Sequence, residues 1–286
     1  MNPVLKWPGS KRQLLQTLVD TIPVELVQDR DVAFVEPFMG SGALFFGLPA
    51  VHARRWVLGD VNTHLMNFYV QLRDRPEEVI AAATTLQDAN RTEQGYYQVR
   101  ATVPDSLVDQ AARVLFLNKM AFNGIWRESA AGGHNVPYNQ RPQTLVVDVA
   151  ALLEASARLK QATLVAGNFE DVCETIAPKK PRRPTSKLVY LDPPYIPISA
   201  TANFAKYSRR GFSLLDQRRL ASLVERLVAQ GHHVILSNSD CPATHAVFDD
   251  VFKEGSCTRV EVQRSVSARA ASRTKAAEVL YTSFRR

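Results

Sequence analysis

Val32-Ala33-Phe34-Val35-Glu36-Pro37-Phe38-Met39-Gly40-Ser41-Gly42-Ala43-Leu44-Phe45-Phe46 reads as one unit: a short apolar strand, a glycine turn and the start of a helix. Gly40 and Gly42 let the backbone bend sharply and approach a ligand without interference from a Cβ. A second strand pattern, 56–58, stops at Gly59-Asp60, and Asn62 is placed to cap the helix that follows. Two βα units in succession predict a doubly wound α/β sheet. Strand patterns return at 163–166, 187–191 and 233–236, with a helical pattern over 216–229 that Gly231 is placed to end. Further on, 258–262 and 278–284 read as an antiparallel pair joined by a loop rich in Ser, Ala, Arg and Thr.

Between the two halves of this sheet pattern the spacing changes. From residue 76 to about 122 it is helical, with Val108, Ala111, Ala112, Leu115 and Met120 on one face. Asn123-Gly124, Gly132-Gly133, Pro137 and Asn139 then crowd a short polar stretch that favours a hairpin. The predicted organisation is a discontinuous sheet domain, 1–70 and 145–286, interrupted by a mainly helical insertion, 71–144, that ends in a hairpin over 122–141.

The chain has 286 residues, 45% of them hydrophobic, enough for a substantial core. Cys173, Cys241 and Cys257 are scattered without a CxxC pair, so neither a disulfide framework nor a metal site is expected. No apolar run is long enough to cross a membrane, and the expected setting is cytoplasmic. The net charge of +7 favours a polyanionic partner. Two segments concentrate it: 179–187, with five cations and no acid, and the stretch from 251 onward, with eight cations and three acids.

Asp192-Pro193-Pro194-Tyr195 follows directly on the 187–191 strand pattern, so it emerges at the carboxyl end of the sheet, where open α/β folds bind ligands. The prolines fix φ near about −65° and supply no N–H, which makes a stiff turn that offers acceptors. Such a turn suits an exocyclic amino group. If the Asp192 carboxylate and the Pro193 carbonyl each accept one of its hydrogens, the nitrogen is drawn toward tetrahedral geometry and its lone pair is aimed at an electrophile. Tyr195 adds an aromatic face on which a base can stack. Asp60 lies 20 residues beyond Gly40, the approximate spacing of an acid that holds ribose hydroxyls in dinucleotide folds. Phe45 stands where such folds have a third glycine, which favours a nucleoside cofactor without a pyrophosphate. S-adenosylmethionine is one.

Several motifs now stand in a fixed order: Lys6-Trp7-Pro8-Gly9-Ser10-Lys11, the glycine turn, Asp60, Leu117 to Arg127, Asn135-Val136-Pro137 and Asp192 to Tyr195. In that order the chain resembles, almost end to end, the Dam-type DNA adenine methyltransferases of the α group. The loop from Asp192 to Phe204 is an especially close match. The resemblance implies a Rossmann-like class I methyltransferase sheet with an inserted target-recognition domain, and transfer of a methyl group from S-adenosylmethionine to adenine N6. It further implies double-stranded DNA as partner, base flipping, and a GATC target, with a restriction-modification role among the possibilities. Catalysis would rest on Asp192, Pro193, Pro194 and Tyr195, and the cofactor on Trp7, Lys11, Phe38, Gly40, Gly42, Asp60 and Asp192, with Asn168 and Phe169 at its adenine.

The same resemblance gives Lys6 the reading of a guanine at the first position. Phe122 and Asn123 would fill the opened duplex, and Ile125 and Arg127 would read bases with Pro137 beside them. Trp126 is expected to pack within the hairpin. Phe122 replaces the family's usual tyrosine, which a wedge tolerates because it needs an apolar plane. Arg141 also departs from the best-known members, which carry tyrosine there. In the loop around 265–275, Arg269, Arg273 and Lys275 are the expected phosphate contacts. The sequence leaves open a cytosine-N4 methyltransferase, whose amino group poses the same problem, and a DNA-binding regulator of the same fold without turnover. Glutamine-N5 methyltransferases favour Asn where Asp192 stands. A monomer is compatible with the pattern.

Overall fold

The computed structural model describes residues 1–7, 9, 14–29, 31–48, 55–129, 132–175, 186–197, 211–263 and 275–285. Seven strands form one sheet: β1 (Ala33–Glu36), β2 (Trp56–Asp60), β3 (Ala162–Ala166), β4 (Lys187–Leu191), β5 (His233–Ser239), β6 (Ser256–Gln263) and β7 (Lys275–Thr282). Their order across the sheet is β3-β2-β1-β4-β5-β7-β6. The five strands from β3 to β5 pair in parallel, and β7 runs antiparallel to both its neighbours.

The strands alternate between two cores, as the two-residue period of a strand requires. Phe34, Trp56, Leu58, Leu188, Tyr190 and Ile235 face one layer; Val35, Val57, Val189, Leu191, Val234 and Leu236 face the other. Both faces are covered, which is why these strands read as continuous apolar runs. The second face is closed by α9 (Phe169–Glu174), α10 (Leu214–Ala229) and α11 (Pro242–Phe248). The first face carries α1 (Leu15–Thr21), α3 (Ala43–Gly47) and α8 (Val149–Leu159), while the short α2 (Val24–Gln28) packs at its margin.

The first face also receives α4 (Thr63–Asp74), α5 (Pro76–Ala89), α6 (Glu93–Ala101) and α7 (Leu107–Met120). Phe116, Leu115 and Tyr96 are fully buried in the same continuous core as Phe34 and Trp56. After α7 comes a single 3-10 turn, Phe122–Gly124, and a loose hairpin held by the bridges Ala121 to Tyr138 and Glu128 to His134.

Asn62 does cap α4, accepting from the Leu65 amide at 2.9 Å, and Gly231, at φ +79°, follows α10. Several strands run further than the apolar pattern indicates. β2 continues through Gly59 to Asp60, and β5 continues through Ser237 and Asn238 to Ser239. β7 begins at Lys275, so this residue is strand, paired with Gln263, and not part of the preceding loop. Antiparallel pairing satisfies its backbone whatever its side chain. No helix among the described residues is long and apolar enough to cross a membrane.

Candidate active site

Two turns leave the carboxyl edge of the sheet side by side. One follows β1 and the other follows β4, and those strands pair in parallel with Val35 opposite Val189. From β1 the chain moves outward to β2 and β3, then returns to β4 on the other side. The crevice between the two turns is the switch point at which doubly wound sheets hold ligands.

In the first turn Gly40 and Gly42 take φ of +48° and +68°. A Cβ on Gly40 would lie 2.8 Å from Cδ1 of Trp7, so the indole packs directly on bare backbone. The amides of Gly40 and Asn62 donate to the two oxygens of Asp60, at 3.1 and 2.9 Å. Burial pushes the Asp60 carboxyl up to about 6, against the pull of the Asn62, Gly40 and Val61 amides. At the end of β1, Glu36 is buried, and its Oε1 has no hydrogen-bond partner among the described residues. Burial pushes its carboxyl up to about 8; the Phe45 amide opposes the rise, the Asp192 charge adds to it and the Arg158 guanidinium opposes it.

Beyond β3 the Asn168 side chain caps α9, accepting from the Asp171 amide at 2.9 Å. The Phe169 ring stacks on Phe38 at 5.5 Å, and Phe212 packs edge-on against both. The Gly167 amide donates to the Asp60 carbonyl at 3.2 Å, which ties this aromatic group to the end of β2.

The second turn is held from β5 and α10. The Ser237 hydroxyl donates to Asp192 Oδ1 at 2.8 Å, and the Tyr190 and Ser237 hydroxyls lie 3.3 Å apart. The Pro194 carbonyl accepts from Gln217 Nε2 at 2.8 Å; Gln217 Oε1 accepts from Asn238, whose Oδ1 in turn accepts from the Ile196 amide. The Tyr195 hydroxyl donates to Glu278 Oε2 of β7 at 2.8 Å. Burial holds its phenol well above the ordinary range, and the charges of Asp192 and Glu278 raise it further.

The hairpin lies against the N-terminal segment. Fully buried Asn118 accepts from the Lys6 amide at 2.9 Å and donates to the carbonyls of Lys6 (2.6 Å) and Gly124 (3.2 Å). Gly124 has φ +66°, and a Cβ there would meet the Lys6 stem at 2.6 Å. Lys6, Phe122, Asn123, Arg127, Pro137 and Arg141 are exposed, Ile125 is half-buried and Trp126 is buried. Asn123 adopts a left-handed conformation, φ 56°, and the Phe122 amide donates to the Pro137 carbonyl at 2.9 Å. Arg127 Nε donates to Asn135 Oδ1 at 2.7 Å.

The structure thus brings Trp7, Phe38, Gly40, Gly42, Asp60, Asn168, Phe169 and the 192–195 turn to one edge of the sheet, and brings Lys6 against the 122–127 segment. Lys11, Arg269 and Arg273 lie outside the described residues, as does most of the basic stretch 179–187.

A family model described as D12 class N6 adenine-specific DNA methyltransferase matches residues 7–266. The chain belongs to this D12 class. Its similarity to individual relatives is spread along its length. It is 32% identical over 292 residues to the type II methyltransferase M1.LlaDCHI of Lactococcus lactis subsp. cremoris, covering 99% of this chain and 96% of that protein. It is 31% identical over 280 residues to the DNA adenine methylase of Escherichia coli K12, covering 96% and 93%. With the type II methyltransferase M.MjaIII of Methanocaldococcus jannaschii it shares 31% over 251 residues, 84% of each chain.

A D12 methyltransferase moves a methyl group from S-adenosylmethionine to adenine N6 in DNA, which decides between the two amino groups considered for the 192–195 turn. In this D12 methyltransferase the site also holds residues that no sequence pattern singles out. Glu36 carried a readable signal, an acid ending an apolar strand. Ser237 and Asn238 carried a weaker one, polar residues directly after the apolar part of β5. Gln217, Phe212 and Glu278 carried none, because their partners lie on other elements.

Proposed function

We propose that this D12 methyltransferase flips the adenine of GATC out of double-stranded DNA, seats it on Tyr195, and presents its N6 to the methyl donor between Asp192 and Pro193. The observation that carries the reading is the held carboxylate. Asp192 stands at the switch point with one oxygen fixed by Ser237, next to the turn that Trp7 and Asp60 brace.

The residues suit S-adenosylmethionine. Trp7 closes on the bare backbone of Gly40 and shapes the turn, Asp60 offers a carboxylate to a ribose at the end of β2, and the buried Glu36 Oε1 has no hydrogen-bond partner among the described residues. Phe38 and Phe169 present aromatic surface beside Asn168 for the cofactor adenine, and Lys11 is suited to the methionyl carboxylate. When bound, the cofactor supplies an electrophilic methyl on a positively charged sulfur.

The chain's own part is orientation. Asp192 and the Pro193 carbonyl accept one N6 hydrogen each, while the Pro194 carbonyl accepts from Gln217, which holds the turn. Tyr195 holds the base plane, itself anchored through its hydroxyl to Glu278. Aligned in this way, N6 would face the methyl in line with its bond to sulfur, the N–C bond forming as the C–S bond breaks and the sulfur leaves as a neutral thioether; the methylated nitrogen, then cationic and acidic, would pass its proton to water. Asp192 need not act as a strong base.

For recognition, Lys6 reads the first guanine, Phe122 and Asn123 fill the opened duplex, and Ile125 and Arg127 read bases with Pro137 and Arg141 alongside. Residues 71–144 form the target-recognition part, and Arg269, Arg273 and Lys275 meet phosphates. The reading sets the enzyme in the cytoplasm and is compatible with a monomer. Asp192→Ala is expected to cut methyl incorporation by at least about 100-fold while leaving much nonspecific DNA binding. The target is tested by treating plasmid with the wild-type enzyme and digesting it with a nuclease that adenine methylation blocks at GATC. Full sensitivity after treatment rejects GATC, and full activity of Asp192→Ala rejects the mechanism.

A further inference from the structure

Resting on that reading of the hairpin and the cofactor turn, we infer that Glu128 is a positioning residue that couples the two, so that cofactor and target DNA bind with positive cooperativity. Glu128 Oε1 accepts two hydrogen bonds, from the Trp126 indole N–H within the hairpin at 3.0 Å and from Asn62 Nδ2 at 3.3 Å. Asn62 belongs to the cofactor side: its amide binds Asp60 and its side-chain oxygen caps α4. One carboxylate oxygen therefore joins the hairpin to the residue next but one after Asp60.

A second path runs in parallel. The Trp126 ring stacks on Trp7 with 16° between planes and centroids 6.3 Å apart, and Trp7 packs on Gly40. The first turn of α4 also reaches Trp126 through the His64 ring, at 5.9 Å. Trp126 is thus seated from below by the cofactor turn and from the side by Glu128.

A ligand that fixes Trp7 and Asp60 fixes the footing of Trp126 and of its neighbours Ile125 and Arg127, which lowers the ordering cost of binding DNA. By linkage, DNA bound to the hairpin must tighten cofactor by the same factor. Glu128 works through Trp126 and Asn62 and touches neither the base nor the methyl donor.

The test measures the affinity of the full chain for a GATC duplex and for a scrambled duplex, with and without saturating S-adenosylhomocysteine. In the wild type the cofactor product is expected to tighten duplex binding roughly 5-fold or more. Glu128→Ala is expected to cut that tightening to about 2-fold or less, the remainder being carried by Trp7 against Trp126. Glu128→Gln keeps an acceptor oxygen for both donors and is expected to restore most of it. Asn62→Ser retains a helix cap but has no amide to reach Glu128, so it should lower the ratio as far as Glu128→Ala does, with an unchanged melting temperature. A wild type without tightening overturns the inference. So do variants that weaken each ligand alone yet keep the wild-type ratio, the mark of a merely structural residue. Equal wild-type affinity for the two duplexes would instead reject the hairpin as reader of GATC, while the ratio stays measurable on either duplex.

Discussion

The Ser237 hydroxyl donates to Asp192 Oδ1 and so holds that carboxylate from the neighbouring strand β5. The neighbouring acid, Glu36, is in the opposite condition, buried and without a partner for Oε1 among the described residues. Its protonation has a consequence for stability. The folded chain holds this proton up to about pH 8, whereas the ordinary value is 4.5. Between those two values the unfolded state has lost a proton that the folded state keeps, so stability falls as pH rises across the window and levels off above it. Glu36→Gln removes that slope. Melting curves of the ligand-free protein are expected to diverge in favour of the variant from about pH 5 to about pH 8, by at least about 2 °C, the effect of about 1 kcal/mol in a chain of this size. Parallel curves across the window would mean that Glu36 is ionised in the fold.

At the scale of elements, the glycine turn and the hairpin both close on a side chain from the N-terminal segment: Trp7 on Gly40 and Lys6 on Gly124. Gly40→Ala combines a positive φ with a 2.8 Å approach to the indole. It is expected to raise the KM for S-adenosylmethionine by about 10-fold or more, a loss of at least about 1.4 kcal/mol in binding, with a smaller effect on kcat. Initial rates at varied cofactor concentration check this, and an unchanged KM would remove the turn from the cofactor site. These elements were legible in the sequence to different depths. β1, β2 and β4 read clearly because burial on both faces leaves an unbroken apolar run. The end of β5 did not, since Ser237, Asn238 and Ser239 are buried polar residues whose partners are the catalytic turn. The grip of Glu278 on Tyr195 joins residues 83 apart, and that of Ser237 on Asp192 joins residues 45 apart, distances at which local pattern carries no information. Glu128 likewise reads as an ordinary charged residue until Asn62, 66 positions away, is placed beside it.

For the molecule as a whole, the predicted insertion of helices proved to share one continuous core with the sheet, because the apolar faces of α4 to α7 have no other surface to cover. A charge of +7 on such a body attracts DNA irrespective of sequence. Affinity for any duplex should therefore fall linearly in log–log form with salt. Arg269→Ala and Arg273→Ala are each expected to make that slope shallower by about 0.9, equally for GATC and scrambled duplexes. An unaltered slope would take both residues off the phosphate backbone.

The reversed direction of β7 has a further meaning for assembly. β7 lies between β5 and β6, so until its residues are made β6 has no partner and β5 has an open edge. It is also β7 that brings Glu278 opposite Ser239, at the edge where the parallel strands end, and so within reach of Tyr195. A chain still emerging from the ribosome carries Asp192 and its prolines for some eighty residues of synthesis before the Glu278 partner of the Tyr195 hydroxyl is made. Closure of the sheet by β7 and placement of Glu278 beside Tyr195 are then a single event.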